Sequence, residues 1–271
     1  MVNYLFCHPI GQYPSVPVKP DRKDKAFPSL SNAKQFSNTE SPDLATVWVI
    51  DIQQYLSRVP EFKTILSQEE KQRAERFYRQ ADTTAFIIRR AILRILLATE
   101  QQCRPEDIRF IKGLNGKPIL AQNEKIGFNC SHSSDLAVIV VANQQTGIDL
   151  EFMKPDIDYS SVAEYAFSEI EYTALQQSAD PLTDFFSIWT RKEAFLKATG
   201  TGLDDNIHLL NCLDGRQNIP AGLNNRNENW ELWTIPLQQN YMLSIAARQS
   251  ASPLNFQVLD FEEQLFPVNK I

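Results

Sequence analysis

Twice in this chain a serine stands three residues ahead of a glutamate at the head of a helical pattern, in Ser67-Gln68-Glu69-Glu70 and again in Ser168-Glu169-Ile170-Glu171. Such a pair forms a capping box, in which each side chain accepts from the other residue's backbone N–H, so each pair marks a helix start. The order of elements after the two boxes is similar. After the first, the segment Thr83–Ala98 carries Ile88, Ile92, Ile95 and Leu96 on one helical face, with Arg89, Arg90 and Arg94 directed elsewhere. After the second, a helical pattern runs over Thr183–Ala198. Leu44–Ile52 is apolar and β-branched enough for a buried strand, and FNCSHSSDLAVIVVANQQTGIDLE (128–151) reads as strand, short loop, buried strand, turn and strand. Trp230–Ile235 and Tyr241–Ala247 are further strands. The expected fold class is α+β, two similar small halves over residues 44–145 and 146–271, each a sheet with a covering helix. The second half is expected to end in a C-terminal tail, and residues 1–43 to form an extended lead-in rich in Pro, Ser, Asn and Lys.

Charge and composition remove several classes of function. A net charge of −6 argues against the basic surface that broad nucleic-acid binding requires, so any anionic ligand has to sit in a local basic pocket. The most apolar stretches, Ala91–Ala98 and Leu136–Ala142, fall far short of the roughly 20 residues that cross a bilayer. The N-terminal MVNYLFCHPIGQYPS has no basic start and no long apolar core, so a soluble cytoplasmic protein with no membrane contact is expected. Cys7, Cys103, Cys130 and Cys212 form no CxxC pair and the histidines are only His8, His132 and His208. Free thiols are therefore expected, and a zinc site is not.

The chemistry is carried by carboxylates. Asp149 and Glu151 are separated by one residue in an expected strand, so their side chains leave the same face and can grip one hard cation. Trp189, Glu193 and Lys197 repeat every four residues and share one side of a helix. If that side meets the strand, Glu193 is a third ligand with Lys197 beside it. Mg²⁺ takes a few carboxylates and completes its octahedron with water and phosphate oxygens, so the set suits a diphosphate ligand. The competing reading is a solvated strand edge and an ordinary i,i+4 surface pair.

Four strings, GKP (116–118), FNCSHS (128–133), GIDLE (147–151) and WTRKEAFLKATGTGL (189–203), occur in the order that resembles the motifs of the Sfp-type 4′-phosphopantetheinyl transferases. The resemblance implies a pseudo-twofold axis between the halves, with coenzyme A between them. It also implies Mg²⁺ on Asp149, Glu151 and Glu193, bridging the coenzyme A diphosphate, and Lys197 neutralising that diphosphate. Lys117, Ser131 and His132 would hold the 3′-phosphate and nearby phosphate groups, with Arg73 and Lys112 as further contacts. Glu70 departs from the pattern, standing where a relative carries lysine. Glu171 is open to two readings, as the glutamate of its capping box or as the base that deprotonates the acceptor, with Glu193 the competing base.

The implied reaction is attack by a serine of an apo acyl or peptidyl carrier protein on coenzyme A, releasing 3′,5′-adenosine bisphosphate, by an enzyme acting as a monomer. Alternatives are a non-catalytic coenzyme A or carrier-binding module of the same fold, and a metal-dependent diphosphate hydrolase. Carrier docking is expected on the segment between Glu151 and Thr183, with Tyr159, Val162, Tyr165, Ala166 and Phe167 as candidates.

Overall fold

A computed structural model of the protein describes residues 44–202, 206–213, 216–218, 229–237, 240–248 and 255–260. The lead-in at 1–43, with Cys7 and His8, and the tail at 261–271 lie outside the described residues. β1 is Leu44–Asp51, and a 3-10 turn at Ile52–Arg58 runs into α1 (Val59–Ile65), α2 (Gln68–Ala74) and the long α3 (Gln80–Gln101). A short hairpin of β2 (Phe110–Lys112) and β3 (Pro118–Leu120) leads to β4 (Gly127–Ser133) and β5 (Leu136–Ala142). β6 (Thr146–Phe152), α4 (Ser160–Ala166), α5 (Glu169–Gln176) and α6 (Pro181–Thr199) follow. Last come β7 (Arg216–Asn218), β8 (Asn229–Leu237), β9 (Tyr241–Arg248) and β10 (Asn255–Asp260).

The fold is α+β, built on two four-stranded sheets ordered β10-β1-β5-β4 and β6-β9-β8-β7. The second sheet is antiparallel throughout, while in the first β10 lies parallel to β1. Strand alternation sets the layers. In β5, Ala137, Ile139 and Val141 pack under α3, while Val138, Val140 and Ala142 join Val47 and Val49 of β1 in a central core. That core is completed by Ile148 and Leu150 of β6 with Trp233, Ile235, Leu243 and Ile245, so the inner faces of the two sheets pack on each other. The opposite face of the second sheet, with Leu232, Met242 and Ala246, packs under α6.

Both capping boxes form. Ser67 Oγ accepts from Glu70 N at 3.3 Å while Glu70 Oε2 accepts from Ser67 N at 2.8 Å. The second box repeats this with 3.3 Å from Glu171 N to Ser168 Oγ and 2.7 Å from Ser168 N to Glu171 Oε2. The duplication reaches further than the caps. Arg94 Nε donates to Glu70 Oε2 at 2.7 Å, and Arg94 Nη1 donates to the carbonyls of Pro105 and Ile108. In the second half Lys192 Nζ lies 2.9 Å from Glu171 Oε2 and donates to the carbonyls of Ile207 and Leu210. Each long helix thus inserts one cation between a capping glutamate and the chain that follows the helix. Arg94 is only 2% exposed, which corrects the expectation that all three arginines of α3 turn away from the core: a buried guanidinium is tolerated because a carboxylate and two carbonyls surround it.

Candidate active site at the seam of the two sheets

The two sheets meet edge to edge at β4 and β6, and the FNCSHS string makes the joint. Asn129, Ser131 and Ser133 are alternate residues of one strand and therefore share a face. Asn129 Oδ1 accepts from Ile148 N at 3.2 Å, Ser131 Oγ donates to Asp149 Oδ1 at 2.8 Å, and Ser133 Oγ accepts from Phe152 N at 3.0 Å. Ser133 also donates to Glu151 Oε2 at 2.9 Å. On β6 the residues Gly147, Asp149 and Glu151 share the face turned toward α6. A Cβ on Gly147 would lie 2.1 Å from the Ala194 carbonyl oxygen, so only glycine lets the strand approach the helix this closely. That approach brings Glu193 and Lys197 of α6 over the carboxylates.

Lys197 Nζ lies 2.5 Å from Asp149 Oδ1 and 3.0 Å from Ser131 Oγ. Asp149 is 2% exposed and its Oδ2 is buried with no hydrogen-bond partner. Burial, with the charges of Asp149 and Glu151 nearby, pushes Glu193 up to about 7, and burial with the Asp149 charge also raises Glu151. Among the described residues no three His, Cys, Asp or Glu side chains stand close enough together to hold a metal ion. In donor chemistry the set suits a hard cation, since all three side chains are carboxylates and the Asp149 charge raises both Glu151 and Glu193. The ammonium of Lys197 already covers Oδ1 of Asp149.

The residues expected around the phosphates divide into separate groups. Ser131 belongs to the carboxylate cluster, whereas His132, its neighbour on the strand, is exposed on the opposite face. Partial burial and the charges of Arg89 and Lys197 hold the His132 imidazole down to about 4, so it is neutral near pH 7. Arg73 on α2 is exposed and stacks its guanidinium 5.4 Å from the Phe86 ring centre. Lys112 is exposed at the end of β2. Lys117 turns inward: its Nζ donates to the carbonyls of Ala198 at 2.7 Å and Thr146 at 3.1 Å, and burial lowers it to about 8. A residue that sequence reasoning passed over is Arg89, whose half-buried guanidinium feels both Arg73 and His132. The signal was available, since Arg89 lies three residues after Phe86 on α3 and so shares the face that receives Arg73.

Glu171 is fully buried, with Lys192 equally buried beside it, and Cys212 N donates to its Oε1 at 2.6 Å. Its carboxylate is thus enclosed by a cap, a lysine and a backbone amide. Of the docking candidates, Ala166 and Phe167 are buried and Tyr159 and Val162 pack half-buried against the core of the second half. Tyr165 stays 55% exposed, joined by Ile170 at 62%. No helix among the described residues is long and apolar enough to cross a membrane.

The fold and the site thus define an α+β protein with two sheets and, at their seam, a cluster of acidic groups joined by one lysine. Two family descriptions match along the chain, "4'-phosphopantetheinyl transferase, N-terminal" over residues 56–145 and "4'-phosphopantetheinyl transferase superfamily" over residues 145–246. The 4′-phosphopantetheinyl transferase HetI of Nostoc sp. is 37% identical over 167 residues, covering 59% of this chain and 70% of that protein. The 4′-phosphopantetheinyl transferase Sfp of Bacillus subtilis is 28% identical over 209 residues, 75% of this chain and 92% of Sfp. The slr0495 protein of Synechocystis sp. is 33% identical over 202 residues, 69% of this chain and 81% of its own. The chain belongs to the 4′-phosphopantetheinyl transferase superfamily.

Proposed function

We propose that the chain is an Sfp-type transferase that moves the 4′-phosphopantetheine group of coenzyme A onto a serine of an apo acyl or peptidyl carrier protein, with Mg²⁺ as cofactor. The observation that carries this reading is the placing of Asp149 and Glu151 on the face of β6 turned toward α6, where Lys197 pairs with Asp149 and Glu193 feels both carboxylates. In the reaction the serine hydroxyl oxygen forms a bond to the β-phosphorus of coenzyme A as the bond to 3′,5′-adenosine bisphosphate breaks, and the hydroxyl proton passes to a base. Asp149, Glu151 and Glu193 would hold Mg²⁺, which when bound neutralises charge on the diphosphate. Lys197, reached from α6, supplies a second positive charge to the same diphosphate oxygens. His132, with Arg89 and Arg73 beyond it, offers a basic surface for the remaining phosphate, and an arriving anion raises the His132 proton affinity.

Glu193 is the better placed of the two candidate bases. Glu171 is already engaged by Lys192 in the core, which leaves Glu193, at the seam, as the candidate to take the proton. The free thiols Cys103, Cys130 and Cys212 suit a reducing compartment, and we assign the protein to the cytoplasm as a monomer.

The test is a mass measurement on apo carrier proteins incubated with the purified chain, coenzyme A and Mg²⁺. A gain of one phosphopantetheine group is expected, with 3′,5′-adenosine bisphosphate released in equal amount. Binding of coenzyme A with no gain on any of a panel of carriers would favour the non-catalytic module, and cleavage of coenzyme A without a carrier would favour a hydrolase. Glu193→Ala is expected to abolish the gain while the far-ultraviolet circular dichroism stays that of the wild type.

A further inference from the structure

The last carbonyls of a helix have no intrahelical donors and need partners from elsewhere. At the end of α6 these partners come from the other half of the molecule. Ala198 O accepts from Lys117 Nζ at 2.7 Å and from Gln145 Nε2 at 2.9 Å. Gly200 O and Thr201 O each accept from Asn115 Nδ2 at 2.9 Å. Lys117 Nζ also donates to Thr146 O at 3.1 Å, so a single ammonium ties the end of α6 to the first residue of β6. Asn115 reaches its two carbonyls from a left-handed backbone conformation, φ 49°, which asparagine tolerates better than most residues. A lysine at the carbonyl end of a helix is also favoured by the helix dipole.

We infer that Asn115, Lys117 and Gln145 form a clasp that sets the axial position of α6 against β6, making Lys117 a positioning residue for Glu193 and Lys197 rather than a contact to a coenzyme A phosphate. The inference rests on the transferase reading for its consequence and on the hydrogen bonds for its geometry. Gly147 fixes how closely β6 and α6 approach, but a flat contact of this kind leaves sliding along the helix axis open. The clasp acts at Ala198, immediately after Lys197, and one turn beyond Glu193, so loosening it moves both side chains relative to Asp149. GKP is then read as a turn that presents a helix clamp: Asn115 and Lys117 flank Gly116, whose φ of 79° is the glycine-favoured conformation.

The test compares wild type, Lys117→Met, Lys117→Arg and Asn115→Ala in steady-state transfer with coenzyme A and with 3′-dephospho-coenzyme A. Lys117→Met and Asn115→Ala are expected to lower kcat by about tenfold or more, the scale of a misplaced catalytic group, while KM for coenzyme A shifts by less than about twofold. The loss should be the same with both donors, and Lys117→Arg should restore most of it. A rise in KM for coenzyme A that vanishes with the dephospho donor would overturn the inference, because Lys117 would then be holding the 3′-phosphate. So would an unchanged kcat in Asn115→Ala. Hydrogen exchange provides a readout that does not depend on transfer: the amides over Leu196–Gly200 should exchange faster in both Lys117→Met and Asn115→Ala than in wild type. If the wild type transfers nothing, the transferase reading fails and exchange alone decides the clasp, unchanged protection refuting it.

Discussion

Glu193 has a measurable signature in the metal-free protein. Its folded pKa of about 7 lies above the ordinary value of 4.5, so between those values the folded chain binds more protons at this site than the unfolded chain. Stability must then fall as pH rises from about 4.5 to about 7. For a partly exposed group the effect is on the order of 2 kcal/mol after solvent screening. Glu193→Gln should therefore be more stable than wild type at pH 8 in the presence of a chelator, and the two should converge near pH 4.5. Mg²⁺ added at pH 8 should raise the wild-type unfolding temperature and raise that of the variant much less. Thermal melts across pH with chelator or Mg²⁺ check both, and a wild type no less stable at pH 8 than Glu193→Gln would sink the carboxylate cluster. The same-face placement of Asp149 and Glu151 was legible in the sequence because strand alternation alone dictates it. That alternation also dictates that Ser131 and His132 part company, a consequence the motif obscured. The inward turn of Lys117 was not legible, since its Ala198 acceptor lies 81 residues away along the chain and no local pattern announces it.

The short helices α2 and α5 were readable from their starts, because a capping box is a local hydrogen-bonding device and both boxes form with matching geometry. What the boxes do not announce is the second use of each glutamate. Glu70 and Glu171 each hold a buried cation from the long helix, Arg94 and Lys192, and no local pattern in the sequence announces either pairing. The pairing gives Glu171 a structural task that can be tested. Lys192 is 0% exposed, so Glu171→Gln would strand an uncompensated buried ammonium and should cost about 3–5 kcal/mol. Transfer per folded molecule should nevertheless persist, since the carboxylate faces the core and not the seam. The double variant Glu171→Gln, Lys192→Met should recover much of the lost stability, as apolar replacement of a buried pair often does. Denaturant unfolding with active-site titration separates these outcomes. A fully folded Glu171→Gln without activity would instead return Glu171 to the list of candidate bases.

At the scale of the whole molecule, β10 crosses the division of the described residues into consecutive halves. This strand follows the second sheet in sequence yet pairs in parallel with β1 of the first, in a register running from Leu44↔Asn255 to Val49↔Asp260. A linear reading of strands and helices cannot reveal such a return, because strand pairing over that separation leaves no local trace. Its effect is to cover the outer edge of β1, whose backbone groups would otherwise be open to another chain. The segment also links the two sheets covalently at a point remote from the clasp and the β4–β6 joint, so the halves should unfold together. Removal of residues 255–271 should lower the denaturant midpoint and produce concentration-dependent self-association through the bared β1 edge. Light scattering during size exclusion, together with urea unfolding followed by tryptophan fluorescence and circular dichroism, checks this. Coincident transitions are expected in the full chain, and a 255–271 deletion that remained monomeric with an unchanged midpoint would show that the β1 edge needs no cover.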